Sequence, residues 1–289
     1  MSINRDRRAS IAQETLAVME RGSYQNARGE DVSIADALAL AVAQSRHYTS
    51  DRLSQLSQDL VPGQAKVTQF EVRNESSLAA ARRIAGGGRP DPLCLNFASA
   101  KNPGGGFLGG AEAQEENLAK SSGLYACIVQ MTDMYNANRA LRSCIYNDDM
   151  IYSPKVPVFR DDAYGFLDAP YLASFVTAPA VNRGALARNE PERMRDVESC
   201  MLQRIDKLLA LALHHGHSDL ILGAWGCGVF GNLPEEMAGW FAAHLLHNPR
   251  YKNAFGHVTF AVLDRNNRGT FAAFDEVFGS PIQKASNSG

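Results

Sequence analysis

Residues 92–116 have the sequence PLCLNFASAKNPGGGFLGGAEAQEE, from which the fold of the surrounding chain can be inferred. Residues 92–98 are apolar and compact enough to predict a short buried strand. The segment at 102–110 contains too many glycines for regular structure. After the carboxylates Glu115 and Glu116, apolar residues recur with the period of a helix. The stretch therefore predicts a strand, a glycine loop and a helix, in that order.

The two carboxylates after the glycines have two interpretations. Near a helix start, Glu115 and Glu116 would each stabilise the helix by about 0.3–1 kcal/mol, and Glu116 has a favourable i,i+4 spacing to Lys120. Beside a loop that lets the backbone approach a ligand, they also indicate acid/base chemistry on a phosphorylated substrate. Consecutive helical residues point about 100° apart, so one carboxylate can face a reacting bond while the other holds the substrate. The glycines favour this second interpretation. The pKa of each carboxyl group stays open, because a helix dipole lowers it and a like charge or burial raises it.

A second glycine loop follows the buried strand predicted at 219–224. Both loops have glycines at the spacing GxGxxG, namely Gly104, Gly106 and Gly109 in the first and Gly226, Gly228 and Gly231 in the second. Such loops can lie at the C-terminal edge of one sheet and offer N–H groups to phosphates. A dinucleotide-dependent oxidoreductase is less favoured. It requires an acidic residue about 20 residues after the glycines, whereas the matching residue after Gly226 is the more distant Asp264.

The remaining patterns predict an α/β fold with a mixed sheet covered by helices. Helices are expected within residues 3–48, broken at Gly22 and restarted after a cap at Ser33, and over 77–85, 114–130, 190–215 and 270–278. Strands are expected at 67–72, 93–98, 150–152, 156–159, 174–177, 219–224 and 257–263. Pro154 and Pro157 limit their segment to an edge or irregular strand. Residues 285–289 are expected to be disordered.

Composition excludes several classes of function. A net charge of −2 in 289 residues gives no electrostatic case for a general nucleic-acid binder. No signal peptide and no apolar run of about 18 residues is found, so no membrane association is expected. The five cysteines form no CxxC pair, which is typical of reduced thiols in a cytoplasmic protein: Cys94, Cys127, Cys144, Cys200 and Cys227.

Three further features have alternative interpretations. His214, His215 and His217 resemble metal ligands, but a helix end also favours histidine, so no metal site is predicted. Cys227 lies in the second loop, but a nucleophilic cysteine requires a histidine that the sequence does not place. Phe230, in the same loop, could pack in the core or against a ligand, and both possibilities remain open.

Two parts of the opening stretch together resemble a known family. The sequence LNFASAKNPGGG at 95–106, followed by QEE at 114–116, is similar to the signature of the poly(ADP-ribose) glycohydrolases, and most of all to their short microbial type. Further similarity lies at 152–161 and 223–232. The resemblance extends from the N-terminal helices to about residue 278.

The resemblance implies a three-layer macrodomain-like fold, with a mixed sheet between helices and an N-terminal helical extension. The expected division is an extension at 1–62 packed on the core, a core at 63–280 and a disordered tail at 281–289. The implied activity is hydrolysis of the ribose–ribose O-glycosidic bonds of ADP-ribose polymers, which releases ADP-ribose. No metal or redox cofactor is implied.

The family signature also implies roles for individual residues. Glu116 matches the catalytic acid/base, and Glu115 matches the glutamate that positions the terminal ribose. Asn96 falls where the family has a polar residue near the reacting ribose, and Gln114 belongs to the substrate-binding signature. The loop that closes on the ribose would be Gly104, Gly105 and Gly106. The diphosphate loop would be Gly226, Cys227, Gly228, Val229, Phe230 and Gly231, with the aromatic ring ordering the ribose.

Two other functions remain as alternatives. A macrodomain could bind ADP-ribose, or remove mono-ADP-ribose from protein or nucleic acid, using the same loops. A pure binding module does not need the carboxylate pair, which favours the hydrolase. The oxidoreductase is the third possibility. The expected partners are ADP-ribose and poly(ADP-ribose) on modified proteins, with nucleic acid only as an ADP-ribosylated substrate.

Overall fold

The computed structural model describes residues 3–61 and 67–279 in two compact units. The first unit holds the described residues within Met1–Tyr48, Ala81–Ala140 and Asp149–Ala178. The second holds those within Thr49–Ala80, Leu141–Asp148 and Pro179–Gly289. The expected tail at 281–289 and the expected boundary near residue 62 lie outside the described residues.

Helices and strands alternate along much of the chain. The helices are α1 (Arg5–Arg21), α2 (Ala35–Gln44), α3 (Ser50–Asp59), α4 (Ser77–Gly86), α5 (Gln114–Ser121), α6 (Leu124–Val129), α7 (Thr132–Ala140), α8 (Arg183–Asn189), α9 (Val197–His214), α10 (Pro234–Ala242) and α11 (Thr270–Phe278). The strands are β1 (Ser23–Gln25), β2 (Asp31–Ser33), β3 (Arg46–Tyr48), β4 (Gln69–Arg73), β5 (Leu93–Phe97), β6 (Met150–Arg160), β7 (Phe166–Ala178), β8 (Asp219–Leu222) and β9 (His257–Ala261). None of the described helices is long and apolar enough to cross a bilayer.

The sheet of the first unit has the strand order β3-β6-β7-β5. The pairs β3–β6 and β6–β7 are antiparallel, and β5 pairs with β7 in parallel. The two short strands expected around Pro154 and Pro157 form the single strand β6, whose register against β7 shifts between Ser153 and Val156. The expected irregularity at the prolines is confirmed, since a bulge accommodates a residue that lacks an N–H group.

The second unit contains the parallel strands β8, β9 and β4, with β9 in the middle. Leu220 and Val258 are register partners, and both are almost completely buried. Helices on the faces of parallel strands explain such continuous apolar runs. The neighbouring helices α9 and α10 each present a buried apolar face.

A short strand that the sequence did not predict precedes the second helix, which begins within one residue of its predicted start. The segment Asp31–Ser33 pairs as a strand with Ser23–Gln25, and α2 starts at Ala35. Gly22, with φ 72°, lets the chain leave α1 and turn into this hairpin. Tyr24 is fully buried beside Phe159, and the Ala35 N–H at the start of α2 donates to Ser33 Oγ at 3.4 Å.

The helix predicted over 114–130 is two helices, α5 and α6. Between them Ser122 is extended (φ −146°, ψ 174°) and forms a bridge with Val158, and the Gly123 N–H donates to Pro157 O at 3.0 Å. Val129, at the end of α6, is 37% exposed. The helix predicted over 190–215 likewise begins as a 3₁₀ segment, Pro191–Asp196, before α9.

Candidate active site

The first glycine loop lies between β5 and α5. It approaches the carboxylates Glu115 and Glu116 at Gly105. Gly105 has φ 59°, a left-handed conformation that favours glycine. A Cβ atom on Gly105 would lie 2.3 Å from Glu116 Oε1 and 3.2 Å from Glu115 Oε2. The two carboxylates therefore face the same point of the loop, and the loop approaches them more closely than any side chain would allow.

Glu116 is half-buried and is held by the loop backbone. The Gly106 N–H donates to Glu116 Oε1 at 3.0 Å. Its position in the first turn of α5, after an extended residue at Ala113, directs it toward the loop. This carboxylate is both fixed in place and partly open to solvent, as a group that exchanges protons with a substrate must be.

Glu115 has a different environment, because only 3% of it is exposed. The Ser99 N–H donates to its Oε2 at 2.7 Å, and Asn96 Nδ2 donates to its Oε1 at 3.3 Å. Burial raises the pKa of Glu115 to about 8, and the charge of Glu116 adds to this, while the hydrogen bonds from Ser99 and Asn96 oppose it. Burial prevails over the helix dipole, and Glu115 is mainly protonated at pH 7.

Asn96 and Gln114 attach the pair to the end of β5. Asn96 is fully buried and also donates to Thr177 Oγ1 at 3.1 Å, on the neighbouring strand β7. Gln114 Oε1 accepts from the Phe97 N–H, and its Nε2 donates to Leu95 O, both at 2.8 Å. The side-chain amide of Gln114 thus bonds the start of α5 to the backbone of β5. These bonds fix the positions of Glu115 and Glu116, the next two residues of the helix.

The loop rests on an apolar base. Phe107 is 1% exposed, and its ring centroid lies 4.7 Å from that of Tyr125 on α6. Ala12 of α1 and Ala119 of α5 complete this small cluster. The sequence did not predict the roles of Tyr125 or Ser99. Tyr125 acts through packing and Ser99 through its backbone N–H, and neither leaves a distinctive residue pattern.

The second glycine loop is closed by its own contacts within the second unit. Gly226 and Gly231 both have φ 71°. A Cβ on Gly226 would lie 2.5 Å from Asn232 Nδ2 and 2.7 Å from Ala180 Cβ, so only glycine fits there. Asn232, which is 2% exposed, donates to Val181 O at 2.9 Å.

The tip of this loop is open. Gly228 and Val229 are exposed, and Val229 exposes 87% of its surface. Within the described residues, the N–H groups of Gly228, Val229 and Phe230 donate to no backbone carbonyl. Successive N–H groups of this kind form an anion-binding concavity.

Phe230 and Cys227 of this loop have different surroundings. Phe230 is half-buried, with its ring centroid 6.0 Å from that of Tyr146, so it lies at the surface and not in the core. Burial raises the pKa of the Cys227 thiol to about 12, with the charge of Glu235 adding to this, so Cys227 is not an activated nucleophile. Tyr146, which the sequence did not single out, has φ 63° and lies beside this ring.

The imidazole rings of His214 and His215 pack against each other edge to face. The centroids of His214 and His215 lie 5.0 Å apart, and burial lowers the pKa of His215 to about 4. Among the described residues, no group of three His, Cys, Asp or Glu side chains is arranged to hold a metal ion.

Comparison with known proteins identifies the family. The model of the microbial-type PARG (poly(ADP-ribose) glycohydrolase) catalytic domain matches residues 12–161. The crystal structure of poly(ADP-ribose) glycohydrolase from Thermomonospora curvata is similar with a TM-score of 0.91 and 45% identity, covering 95% of this chain and 100% of that chain. The same enzyme bound to the inhibitor ADP-HPD gives a TM-score of 0.88 and 45% identity, over 94% and 99% of the two chains.

A second bacterial enzyme gives the same result. Poly(ADP-ribose) glycohydrolase from Deinococcus radiodurans in complex with ADP-ribose has a TM-score of 0.78 and 42% identity, covering 83% of this chain and 96% of that chain. No curated protein sequence matches. The similarity of fold confirms the predicted mixed α/β, macrodomain-like class. The chain belongs to the microbial-type poly(ADP-ribose) glycohydrolases, a family of glycoside hydrolases that act on poly(ADP-ribose).

Proposed function

We propose that this protein hydrolyses the ribose–ribose O-glycosidic bonds of poly(ADP-ribose) and releases ADP-ribose, with Glu116 as the general acid and base. The observation that carries this proposal is the convergence of Glu115 and Glu116 on Gly105 of the first loop. Relatives at 42–45% identity bind ADP-ribose or the inhibitor ADP-HPD, which supports the same ligand class here.

Glu116 is the better candidate for proton transfer. It is half-buried, whereas Glu115 is 3% exposed and already accepts hydrogen bonds from Ser99 and Asn96. In the reaction, Glu116 donates its proton to the leaving ribose oxygen as the bond from that oxygen to the anomeric carbon breaks. The ionised Glu116 then accepts a proton from the water that attacks the anomeric carbon, which regenerates the acid.

Glu115 supports this chemistry in two ways. Its buried carboxyl group is a rigid hydrogen-bonding partner for the terminal ribose. Its raised pKa also keeps a proton on the pair near neutral pH, and neighbouring carboxyl groups titrate as a pair. The proton of the pair moves to Glu116 for the donation, and the negative charge then left on the two carboxylates stabilises the developing oxocarbenium ion beside them.

Each glycine loop has its own proposed ligand group. Gly104, Gly105 and Gly106 close on the terminal ribose, which only a backbone without side chains permits. The open N–H groups at the tip of the second loop receive the diphosphate, and the half-buried Phe230 packs on the ribose. The substrate polymers are carried on modified proteins. We place the protein in the cytoplasm, because five scattered cysteines without a CxxC pair are typical of reduced thiols.

An activity assay tests the assignment. Wild-type protein incubated with poly(ADP-ribose) should release ADP-ribose, and Glu116→Gln should lower the rate at least about a hundredfold by removing acid/base catalysis. Glu20→Gln, an exposed carboxylate on α1, is the matched control and should be unchanged. Undiminished release by Glu116→Gln would refute the mechanism. Micromolar ADP-ribose binding without any release would instead support a binding module.

A further inference from the structure

We propose that Arg8 on helix α1 is a positioning residue for Glu116, which it fixes through the segment Gly109–Glu112. This inference rests on the proposed function of Glu116. The segment, here called the linker, joins the first glycine loop to α5. The family signature lies on either side of it, and nothing in that signature involves α1.

Three cationic side chains donate to three successive linker carbonyls. Arg5 Nε donates to Gly109 O at 2.8 Å, and Arg8 Nε donates to Gly110 O at 2.8 Å. Lys120 Nζ donates to Ala111 O at 3.1 Å. Arg8 also forms an ion pair with Glu112 at 3.0 Å, so every linker residue has a cationic partner.

The backbone of α1 also contacts the linker directly. Gly110 has φ 72°, and a Cβ there would lie 2.2 Å from Arg5 O. The start of α1 is therefore pressed against the chain at the one linker position where only glycine fits. A helix that merely covered the core would not require this close approach.

Hydrogen bonds through Gly106 connect the linker to the Glu116 carboxylate. The Gly109 and Ala111 N–H groups donate to Gly106 O at 3.0 and 3.2 Å. The N–H of that same Gly106 donates to Glu116 Oε1 at 3.0 Å. Gly106 is thus held at its carbonyl by the linker and holds Glu116 with its N–H, which forms a continuous chain of hydrogen bonds from Arg8 to the carboxylate.

Arg8 is the residue of choice for a test. Its side chain is 16% exposed, and its guanidinium bonds Gly110, Glu112 and Ile3 at once, which suits a rigid fork. Lys120 is fully buried, and burial lowers its pKa to about 8, so its charge is lost in mild alkali.

The experiment compares Arg8→Ala with Arg7→Ala in the full-length protein. Arg7 is the adjacent residue on α1, its side chain is 58% exposed, and it bonds Ser10 and Glu14 but not the linker. We expect Arg8→Ala to lower kcat roughly tenfold or more, because a displaced catalytic group loses rate steeply. KM and ADP-ribose affinity should change by less than about threefold, and Arg8→Lys should recover part of kcat, since a lysine can still donate to the carbonyl.

Several outcomes would overturn the inference. Equal kcat values for Arg8→Ala and Arg7→Ala, with active wild type, would reject it and leave the proposed function intact. A parallel loss of kcat, affinity and Tm would show that Arg8 only stabilises the fold. If Arg8→Ala does not fold, the exposed Arg5→Ala, which removes only the Gly109 bond, replaces it, and an unchanged kcat there would count against the proposal. A wild-type protein without activity would instead reject the proposed function itself.

Discussion

At the scale of single residues, Gly105 determines how close a backbone can come to the carboxylates. Its missing side chain leaves room for Glu116 Oε1 at 2.3 Å from the position of a Cβ. The Glu116 carboxylate occupies the space that a side chain on this residue would take. The same absence that defines the glycine signature in the sequence is therefore a geometric requirement of the site.

Replacing Gly105 tests this requirement. We expect Gly105→Ala to lower kcat by about ten- to a hundredfold, because the new methyl group displaces Glu116, and to weaken ADP-ribose binding. The control is Gly88→Ala: Gly88 also has positive φ, 83°, but no atom lies within 4 Å of its Cβ position, so it incurs only backbone strain. The rate of ADP-ribose release and calorimetric titration with ADP-ribose provide the two measurements. Equal behaviour of the two variants would place the loop away from the ligand.

The sequence predicted which carboxylates lie beside the glycine loop, but it did not predict the environment of those carboxylates. The sequence placed Glu115 and Glu116 beside the glycines, because only a short segment separates them. It left their pKa values open, since burial depends on residues such as Asn96 and Thr177 that lie on different strands. It also missed Arg5 and Arg8, because their acceptors are backbone carbonyls, which every residue has.

At the scale of elements, the break between α5 and α6 separates the turn that carries Glu115 and Glu116 from the rest of the predicted helix. Gly123 allows this break, because a Cβ there would lie 2.5 Å from Leu38 Cδ1 and 3.5 Å from Pro157. Leu38 is itself buried in a cluster with Tyr24 and Phe159. The break therefore depends on α2 and β6, which the local helical period of 114–130 does not reflect.

A substitution at Gly123 should therefore destabilise the protein. We expect Gly123→Ala to lower the free energy of unfolding by about 1–3 kcal/mol through overpacking against Leu38. Gly239→Ala is the matched control: Gly239 is an exposed helical glycine on α10 with nothing within 4 Å, so alanine should stabilise that helix by up to about 1 kcal/mol. Urea unfolding measures both. A neutral Gly123→Ala would mean that Leu38 repacks without cost.

At the scale of the whole molecule, burial of Glu115 makes stability depend on pH. Its pKa is about 8 when folded against an ordinary 4.5, so the folded state binds the extra proton between these values. The contribution of Glu115 to the free energy of unfolding is fully present below pH 4.5. It is lost as the pH rises through about 8. The loss is on the order of a few kcal/mol.

Glu115→Gln, which cannot ionise, should remove this dependence. The variant should gain stability relative to wild type between pH 5 and pH 9, as measured by urea midpoints at each pH. Glu20→Gln, an exposed change, should keep a constant difference from wild type. A constant difference for Glu115→Gln as well would contradict the raised pKa.

The fold class could largely be predicted from the sequence, whereas the division of the chain into two compact units could not. Alternating strand and helix patterns around residues 92–116 were sufficient for the fold class. The division into 1–62, 63–280 and 281–289 stays a prediction. The compact units of the structure draw on distant stretches, such as 141–148 in the second unit between two stretches of the first, and no local composition marks such a change.

The position of β9 in the middle of its three strands has a consequence for synthesis. Glu71 in β4 and Thr259 in β9 are register partners 188 residues apart. At roughly 5–20 residues per second, a ribosome makes β9 about ten to forty seconds after β4. During that interval β4 has no strand to pair with in its unit. Every segment of the first unit has been synthesised once the ribosome has passed Ala178. The nascent chain thus contains all segments of the first unit together with a strand whose N–H and C=O groups are still unpaired.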